Sequence, residues 1–269
     1  MKVLLIGKNS YIGTSFIKRF GDKYDICEYD SLNGVNKEIY IGYDVVIHLA
    51  GIAHVSSKKS MESLYYKVNR DLAIESCKLA KLAGCKQFIF MSSMIIYGDD
   101  DRIGKKKIIN RDTTPAPSNF YGQSKLDADE YISSQNSEDF KTLVIRTPMV
   151  YGEHSKGNYP KMLSLALKLP FVPNIENKRS VIEINNLCSF FNSSISSGFN
   201  GIYFPQDPEY MCSSKVMSEH RIKNNKKPRL TKFFNPLIYL ASLFIGQFNK
   251  LFGTKIYDIG EVHEDGVKY

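Results

Sequence analysis

A chain of 269 residues with 43% hydrophobic content and no low-complexity tract has the composition of a soluble globular protein that buries one large domain, or one domain with a smaller appendage. Its five cysteines, Cys27, Cys77, Cys85, Cys188 and Cys212, are odd in number and form no Cys-x-x-Cys pair, which excludes a disulfide framework and a zinc ribbon; reduced cytoplasmic thiols and no metal site are expected. The net charge of +8 asks for an anionic partner, but net charge alone speaks for nucleic acid, so none is expected, and much of the excess clusters at Arg221, Lys223, Lys226, Lys227 and Arg229.

Lys2 to Ile6 reads as a short buried strand, too brief for the core of a signal peptide, and it ends at Gly7-Lys8-Asn9-Ser10-Tyr11-Ile12-Gly13 before a helix-like run through Phe16, Ile17 and Phe20. In a strand, glycine turn and helix, glycine lets a diphosphate come close, and the free N–H groups of the new helix receive its charge. Gly7, Ser10, Tyr11, Ile12 and Gly13 are the expected cofactor contacts, with Ser10 where related loops carry a middle glycine. A second strand around Asp25 to Asp30 puts Asp30 roughly 20 residues past that loop, where a ribose-binding acid is expected. Such a carboxylate repels a 2′-phosphate, and no arginine stands immediately beside it, so the cofactor is read as NAD(H) or NADP(H) with NAD(H) favoured. Glu28 competes for the same role.

Tyr43 to Ala50 is the next buried strand, with Leu49, Ala50 and Gly51 at the end that passes the cofactor. His48, among Val45, Val46, Ile47 and Leu49, reads as a packed structural residue. The interval from Asp30 to Tyr43 is too short for a full excursion, so one peripheral element is expected to be reduced or missing. Met61 to Leu82 shows helical periodicity with Gly84 as its stop. Gln87 to Met91 is a strand leading into Ser92-Ser93-Met94-Ile95-Ile96-Tyr97-Gly98, two hydroxyls at a strand's carboxyl end.

Ser118, after Pro115 and Pro117, is the expected N-cap of a helix carrying Tyr121 and Lys125 on one face. A phenol there can trade a proton with an alcohol or carbonyl. Its ordinary pKa, about 10, is too high for a base at neutral pH, and a nearby ammonium is expected to lower it. Alone, Tyr-x-x-x-Lys is a spacing that chance supplies in many helices. Thr142 to Arg146 is a further strand, and from about Glu153 the strand-helix rhythm loosens, which divides the chain into a dinucleotide-binding domain, 1–152, and a smaller, irregular substrate-binding region, 153–269. Phe233 to Phe248 is strongly apolar but shorter than the ~20 residues of a membrane span. It reads as a packed helix; the alternative is an interfacial anchor helped by the basic cluster before it.

The glycine turn, the Ser-Ser loop and the Tyr-x-x-x-Lys helix, in this order, resemble the extended short-chain dehydrogenase/reductase family, the NAD-dependent epimerase/dehydratase group acting on nucleotide sugars. Arg146-Thr147-Pro148-Met149-Val150-Tyr151-Gly152 and Lys156-Gly157-Asn158-Tyr159 add to the likeness. The resemblance implies an α/β, Rossmann-type doubly wound parallel sheet. It assigns catalysis to Ser93, Tyr121 and Lys125, cofactor contacts also to Asn69, Lys125 and Pro148, and substrate contacts to Ser93, Tyr121, Asn158 and Arg179. It further implies a UDP-sugar partner and a homodimer through the helices from Met61 and Ser118. Asn177-Lys178-Arg179-Ser180, Phe204-Pro205-Gln206-Asp207 and Phe248-Asn249-Lys250-Leu251-Phe252-Gly253 look like the capsule and O-antigen reductases of UDP-linked 2-acetamido-2,6-dideoxy-4-keto-hexoses. UDP-sugar 4-epimerases share these motifs, and a non-catalytic dinucleotide sensor or membrane-associated scaffold is the alternative of another class. Met94 and Ile95 stand where the family's dehydratases carry an acid pair, which argues against dehydration.

Overall fold

The run Lys2–Ile6 forms β1 in a computed structural model that describes residues 1–53, 59–100 and 102–258. Val3 and Leu5 enter one apolar layer and Leu4 and Ile6 the other, the period-2 division of a strand covered on both faces. The chain continues through α1 (Tyr11–Phe20), β2 (Asp25–Tyr29) and β3 (Val45–His48). A short α2 (Glu62–Tyr65) passes through a π-helical turn, Tyr66–Asp71, into α3 (Leu72–Leu82). Then come β4 (Gln87–Ser93), β5 (Lys106–Ile109), α4 (Phe120–Ser134), β6 (Lys141–Thr147), β7 (Met149–Tyr151) and α5 (Asn158–Lys168). The last part holds β8 (Val172–Pro173), β9 (Val181–Glu183), α6 (Ile184–Ser197), β10 (Gly201–Tyr203), α7 (Ser213–Lys223), β11 (Leu230–Thr231), α8 (Asn235–Ala241), α9 (Gly246–Phe252) and β12 (Thr254–Tyr257).

Six strands form one sheet in the order β2-β1-β3-β4-β6-β10, and every neighbouring pair is parallel. The order reverses between β1 and β3, which opens a crevice at their carboxyl ends, the place where doubly wound sheets hold ligands. The fold is the α/β Rossmann-type sheet expected. Between β2 and β3 the chain makes two short 3-10 turns, Ser31–Asn33 and Lys37–Tyr40. The outer strand is therefore missing among the described residues, and β2 is the edge.

Phe16 of α1 packs with Leu187, Phe190 and Phe191 of α6 on one face of the sheet; burying each such phenylalanine contributes about 1.5–3 kcal/mol. On the other face, Ala73, Cys77 and Ala80 of α3 and Ala128 and Ile132 of α4 lie against Val46, Phe88, Phe90 and Val144. Small side chains bring these helices close to the strands. Residues beyond 152 are not wholly separate, because α6 and β10 return to the six-stranded sheet. The rest of the second half, α5, α7, α8 and α9, gathers around Met162, Ala166, Val172, Met217, Ile238 and Phe252. The last described strand, β12, pairs in parallel with β5.

Two expectations change. Ser118 is not the cap of α4: Asn119 is, its Oδ1 accepting from the Gly122 N–H at 3.0 Å, while the Ser118 hydroxyl donates to Asp99 at 2.7 Å. The segment from Phe233 to Phe248 is not one packed helix. It is split between α8 and α9, with Ile238 buried and Phe233, Leu237, Leu240 and Phe244 exposed. Among the described residues no helix is long and apolar enough to cross a membrane.

Candidate active site

Gly7 has a φ of 122°, which disfavours other residues, and a Cβ there would lie 2.9 Å from the backbone nitrogen of Ala50. The carboxyl ends of β1 and β3 are thus pressed together, with Leu49 and Ala50 both donating their N–H to the Ile6 carbonyl. Ser10 caps α1, its Oγ accepting from the Gly13 N–H at 3.1 Å, and a Cβ on Gly13 would sit 2.7 Å from that oxygen. The serine in place of a glycine therefore has work of its own. The N–H groups of Tyr11 and Ile12 have no carbonyl within the helix to bond, and the first turn holds no acid. This leaves a positive end facing the crevice, and the cradle fits the diphosphate of a dinucleotide.

The two acids that competed on sequence separate. Glu28 Oε1 accepts from the N–H of Asn9, a loop residue at φ 58°, and so holds the turn. Asp30 follows β2 and accepts from the Leu32 N–H at 3.0 Å. The side chain of Tyr11 turns towards the second half, where a Cβ on Gly152 would meet its Oη at 3.1 Å. Burial, and then Glu183, push that phenol up to about 12.

Across the crevice, Asn69 lies in the π-helical turn and clasps Ile52, accepting from its N–H at 2.8 Å and donating to its carbonyl at 3.0 Å. A Cβ on Gly51 would come within 3.1 Å of Asn69 Oδ1 and 3.5 Å of Lys125 Nζ. Gly51, Asn69 and Lys125 therefore converge. Lys125 Nζ donates to the Met91 carbonyl at 2.6 Å and lies 4.6 Å from the Phe90 ring centroid. Burial lowers its pKa to about 8, against the pull of Asp129.

One turn earlier on α4, the Tyr121 phenol is hydrogen-bonded to the Ser93 side chain, and its ring lies 5.6 Å from that of Tyr65. Burial pushes the phenol up to about 12; the Ser93 bond lowers it and Tyr65 raises it further. The expectation that Lys125 holds this phenol below its ordinary value is not met, because desolvation outweighs any help from the ammonium. At neutral pH Tyr121 is a phenol and Lys125 an ammonium. His48 is buried, its ring 6.0 Å from those of Phe88 and Phe90. Burial and the Lys125 charge push it down to about 3, so it is a neutral packing residue, as expected.

Behind these side chains runs a buried polar network that the sequence reading missed. Asp129 accepts from Ser92 Oγ at 2.6 Å and pairs with Arg146 through Nη2 at 2.8 Å and Nε at 3.1 Å. Arg146 Nη1 donates to Tyr97 Oη at 2.7 Å, and Tyr257 Oη donates to the Arg146 carbonyl at 2.8 Å. Lys255 Nζ donates to the carbonyls of Met94 and Gly98, bracing the turn after Ser93. The signal for Asp129 was its place one turn after Lys125; nothing local marked Tyr257 or Lys255.

Pro148 is buried between β6 and β7, and in the second half Asn158 is exposed as the first residue of α5, following Gly157 at φ 90°. Arg179 is held by the protein itself, its Nη2 3.3 Å from Asp100 and its Nη1 donating to the Gly253 carbonyl at 3.2 Å. A cavity of about 310 Å³ lies between α5 and α7, lined by Tyr151, Tyr159, Met211, Lys215, Glu219 and His220 among others. Its lining includes none of Ser93, Tyr121 and Lys125.

The UDP-glucose 4-epimerase of Vibrio cholerae is 27% identical to this chain, the match spanning 83% of this chain and 76% of that one. A solved structure of MoeE5 in complex with UDP-glucose and NAD superposes with a TM-score of 0.73 at 15% identity, covering 98% of this chain and 91% of its own. The dTDP-4-dehydrorhamnose reductase of Bacillus anthracis, solved in complex with NADP, gives 0.69 at 20% identity over 85% of this chain and 82% of its own. Both share the fold. Residues 3–190 match the model of the NAD dependent epimerase/dehydratase family, and the chain belongs to that family.

Proposed function

We propose that this protein transfers hydride at the 4-position of a UDP-sugar, as a 4-keto reductase that makes a UDP-N-acetyl-6-deoxyhexosamine for capsule or O-antigen polysaccharide in the cytoplasm. The observation that carries this reading is the state of Tyr121: a phenol held protonated at neutral pH, hydrogen-bonded to Ser93 and one turn from a buried ammonium. That is the state of a proton donor. A bound NADH or NADPH supplies the hydride for the 4-keto carbon. Tyr121 gives its proton to the alkoxide oxygen formed there, Ser93 hydrogen-bonds that oxygen, and the remaining donors of Lys125 hold the nicotinamide ribose. Gly7, Ser10, Tyr11, Ile12 and Gly13 cradle the diphosphate. Asp30, free of the loop that Glu28 secures, takes the adenosine ribose and favours NAD(H).

Residues 153–269, apart from α6 and β10, hold the nucleotide sugar in this reading, with Asn158 and the cavity beside Tyr159 on the nucleotide side. Arg179, being paired with Asp100, would contribute by exchanging that partner for a diphosphate. The reading includes a homodimer through α2, α3 and α4. A second reading, a UDP-sugar 4-epimerase, is favoured by the likeness to the Vibrio cholerae enzyme; the same residues would act twice, with Tyr121 first as base. Incubation with a UDP-4-keto-6-deoxy-N-acetylhexosamine and NADH or NADPH, and separately with UDP-glucose or UDP-N-acetylglucosamine and NAD, separates the two. Stoichiometric cofactor oxidation supports the reductase. Interconversion of 4-epimers without net redox change would replace it with the epimerase, and no turnover in either assay would sink both.

A further inference from the structure

We infer that the exposed face of α8, with the basic stretch leading into it, docks on the surface of an anionic lipid bilayer. From Arg221 to Tyr257 the sequence holds eight lysines and arginines and no aspartate or glutamate. Removing those eight from the chain's 36 cations leaves 28 against 28 acids, so the entire net charge arises in this stretch. Lys223, Lys226, Lys227, Arg229 and Lys232 are exposed. Two of them are tethered, Lys226 to the Leu167 carbonyl at 2.9 Å and Arg229 to the Pro170 carbonyl at 3.3 Å, contacts that fix their positions without cancelling their charge.

The apolar half follows directly. Phe233, Leu237, Leu240 and Phe244 recur at intervals of four, three and four residues, the spacing of one helix face. They are 81%, 64%, 58% and 83% exposed, and hydrogen-bonded turns carry the winding beyond α8 to Ile245. The opposite side anchors the segment: Phe234 stacks on Phe171 at 4.3 Å, Ile238 is buried, and Asn235 Nδ2 donates to the Asn174 carbonyl at 2.9 Å. With that side already fixed to the body, the exposed stripe has no apolar layer to enter among the described residues.

A second copy of the chain would cover the stripe but, in a two-fold contact, would bring the same acid-free basic stretches together. A bilayer with anionic lipid answers both halves at once, the phenylalanines and leucines entering the acyl boundary and the cations meeting headgroups. Seven residues of α8 are far too few to span, so the segment lies in the interface plane. This docking does not depend on the reaction proposed above.

Flotation of the full chain with vesicles tests it, using phosphatidylcholine alone and phosphatidylcholine with about one third phosphatidylglycerol. Binding is expected to the anionic vesicles only, and to fall as salt rises. The pairs Phe233→Ser with Phe244→Ser and Lys226→Glu with Lys227→Glu should each weaken it about tenfold with an unchanged circular dichroism spectrum. No flotation of the parent chain would overturn the proposal, as would equal flotation of parent and both variants. A phenylalanine pair that turned a dimer into a monomer and left flotation untouched would assign the face to a second copy.

Discussion

Tyr121 carries the proton chemistry of the proposed reaction, and burial, by raising its pKa, favours the protonated phenol from which the proposed donation starts. Tyr121→Phe should lower turnover by about 10²–10⁴-fold, the range of a positioned acid or base, with NADH affinity by fluorescence titration unchanged. Retention of most activity would mean another group donates. Lys125 loses its charge as pH rises through about 8, so kcat/KM should fall on the alkaline side with a midpoint near that value. In Lys125→Met that limb should be gone from whatever turnover remains; its persistence there would assign the titration to another group. That Tyr121, Lys125 and Ser93 are candidates for the proposed site is legible from spacing and motif. Their ionisation was not, because it depends on how deeply the surrounding chain buries them, and Tyr65, which raises the phenol further, is far away in sequence.

At the scale of elements, the glycine turn is a junction between two strands as much as the proposed cofactor cradle. Gly7→Ala must place a methyl 2.9 Å from the Ala50 nitrogen at a φ of 122°. It should cost about 1–3 kcal/mol in urea unfolding and weaken dinucleotide binding together; loss of neither would show that the turn relaxes freely. The strand-glycine-helix rhythm, the missing element after Asp30 and the boundaries of β1 could be read from the chain because each rests on local periodicity and length. The Asp129–Arg146 pair could not, since its partners Ser92, Tyr97 and Tyr257 come from three separate elements. Arg179 shows the same limit: a motif named the residue, but only folding revealed Asp100 and Gly253 against it. The apolar run from Phe233 was visible by composition, whereas which side faces solvent was set by Phe171 and Asn174, some 60 residues earlier.

At the scale of the whole molecule, burial of charge shapes how stability responds to pH. Lys255, like Lys125, is lowered to about 8 by burial, against about 10.4 in an unfolded chain. Between those values the unfolded chain keeps a proton that the folded one has released, so each lysine makes unfolding costlier as pH rises through the window. The buried thiols Cys77 and Cys188, pushed up to about 12, act in the opposite sense above about 8.5. The informative quantity is therefore a difference. The unfolding free energy of Lys255→Met relative to the parent should decline by on the order of 1 kcal/mol between about pH 7.5 and 9.5. A difference that stays flat would mean Lys255 titrates as it does unfolded. The pairing of β12 with β5 has a further consequence, for the order in which the protein is made. The first half can collapse around β1, β3 and β4 while synthesis continues, since domains begin to fold from the N-terminal side. The turn after Ser93 must wait, because Lys255 and Tyr257, which brace it and the Arg146 backbone, are among the last described residues translated. A nascent chain would thus form the turn proposed to cradle a dinucleotide before the proposed proton-transfer site is complete.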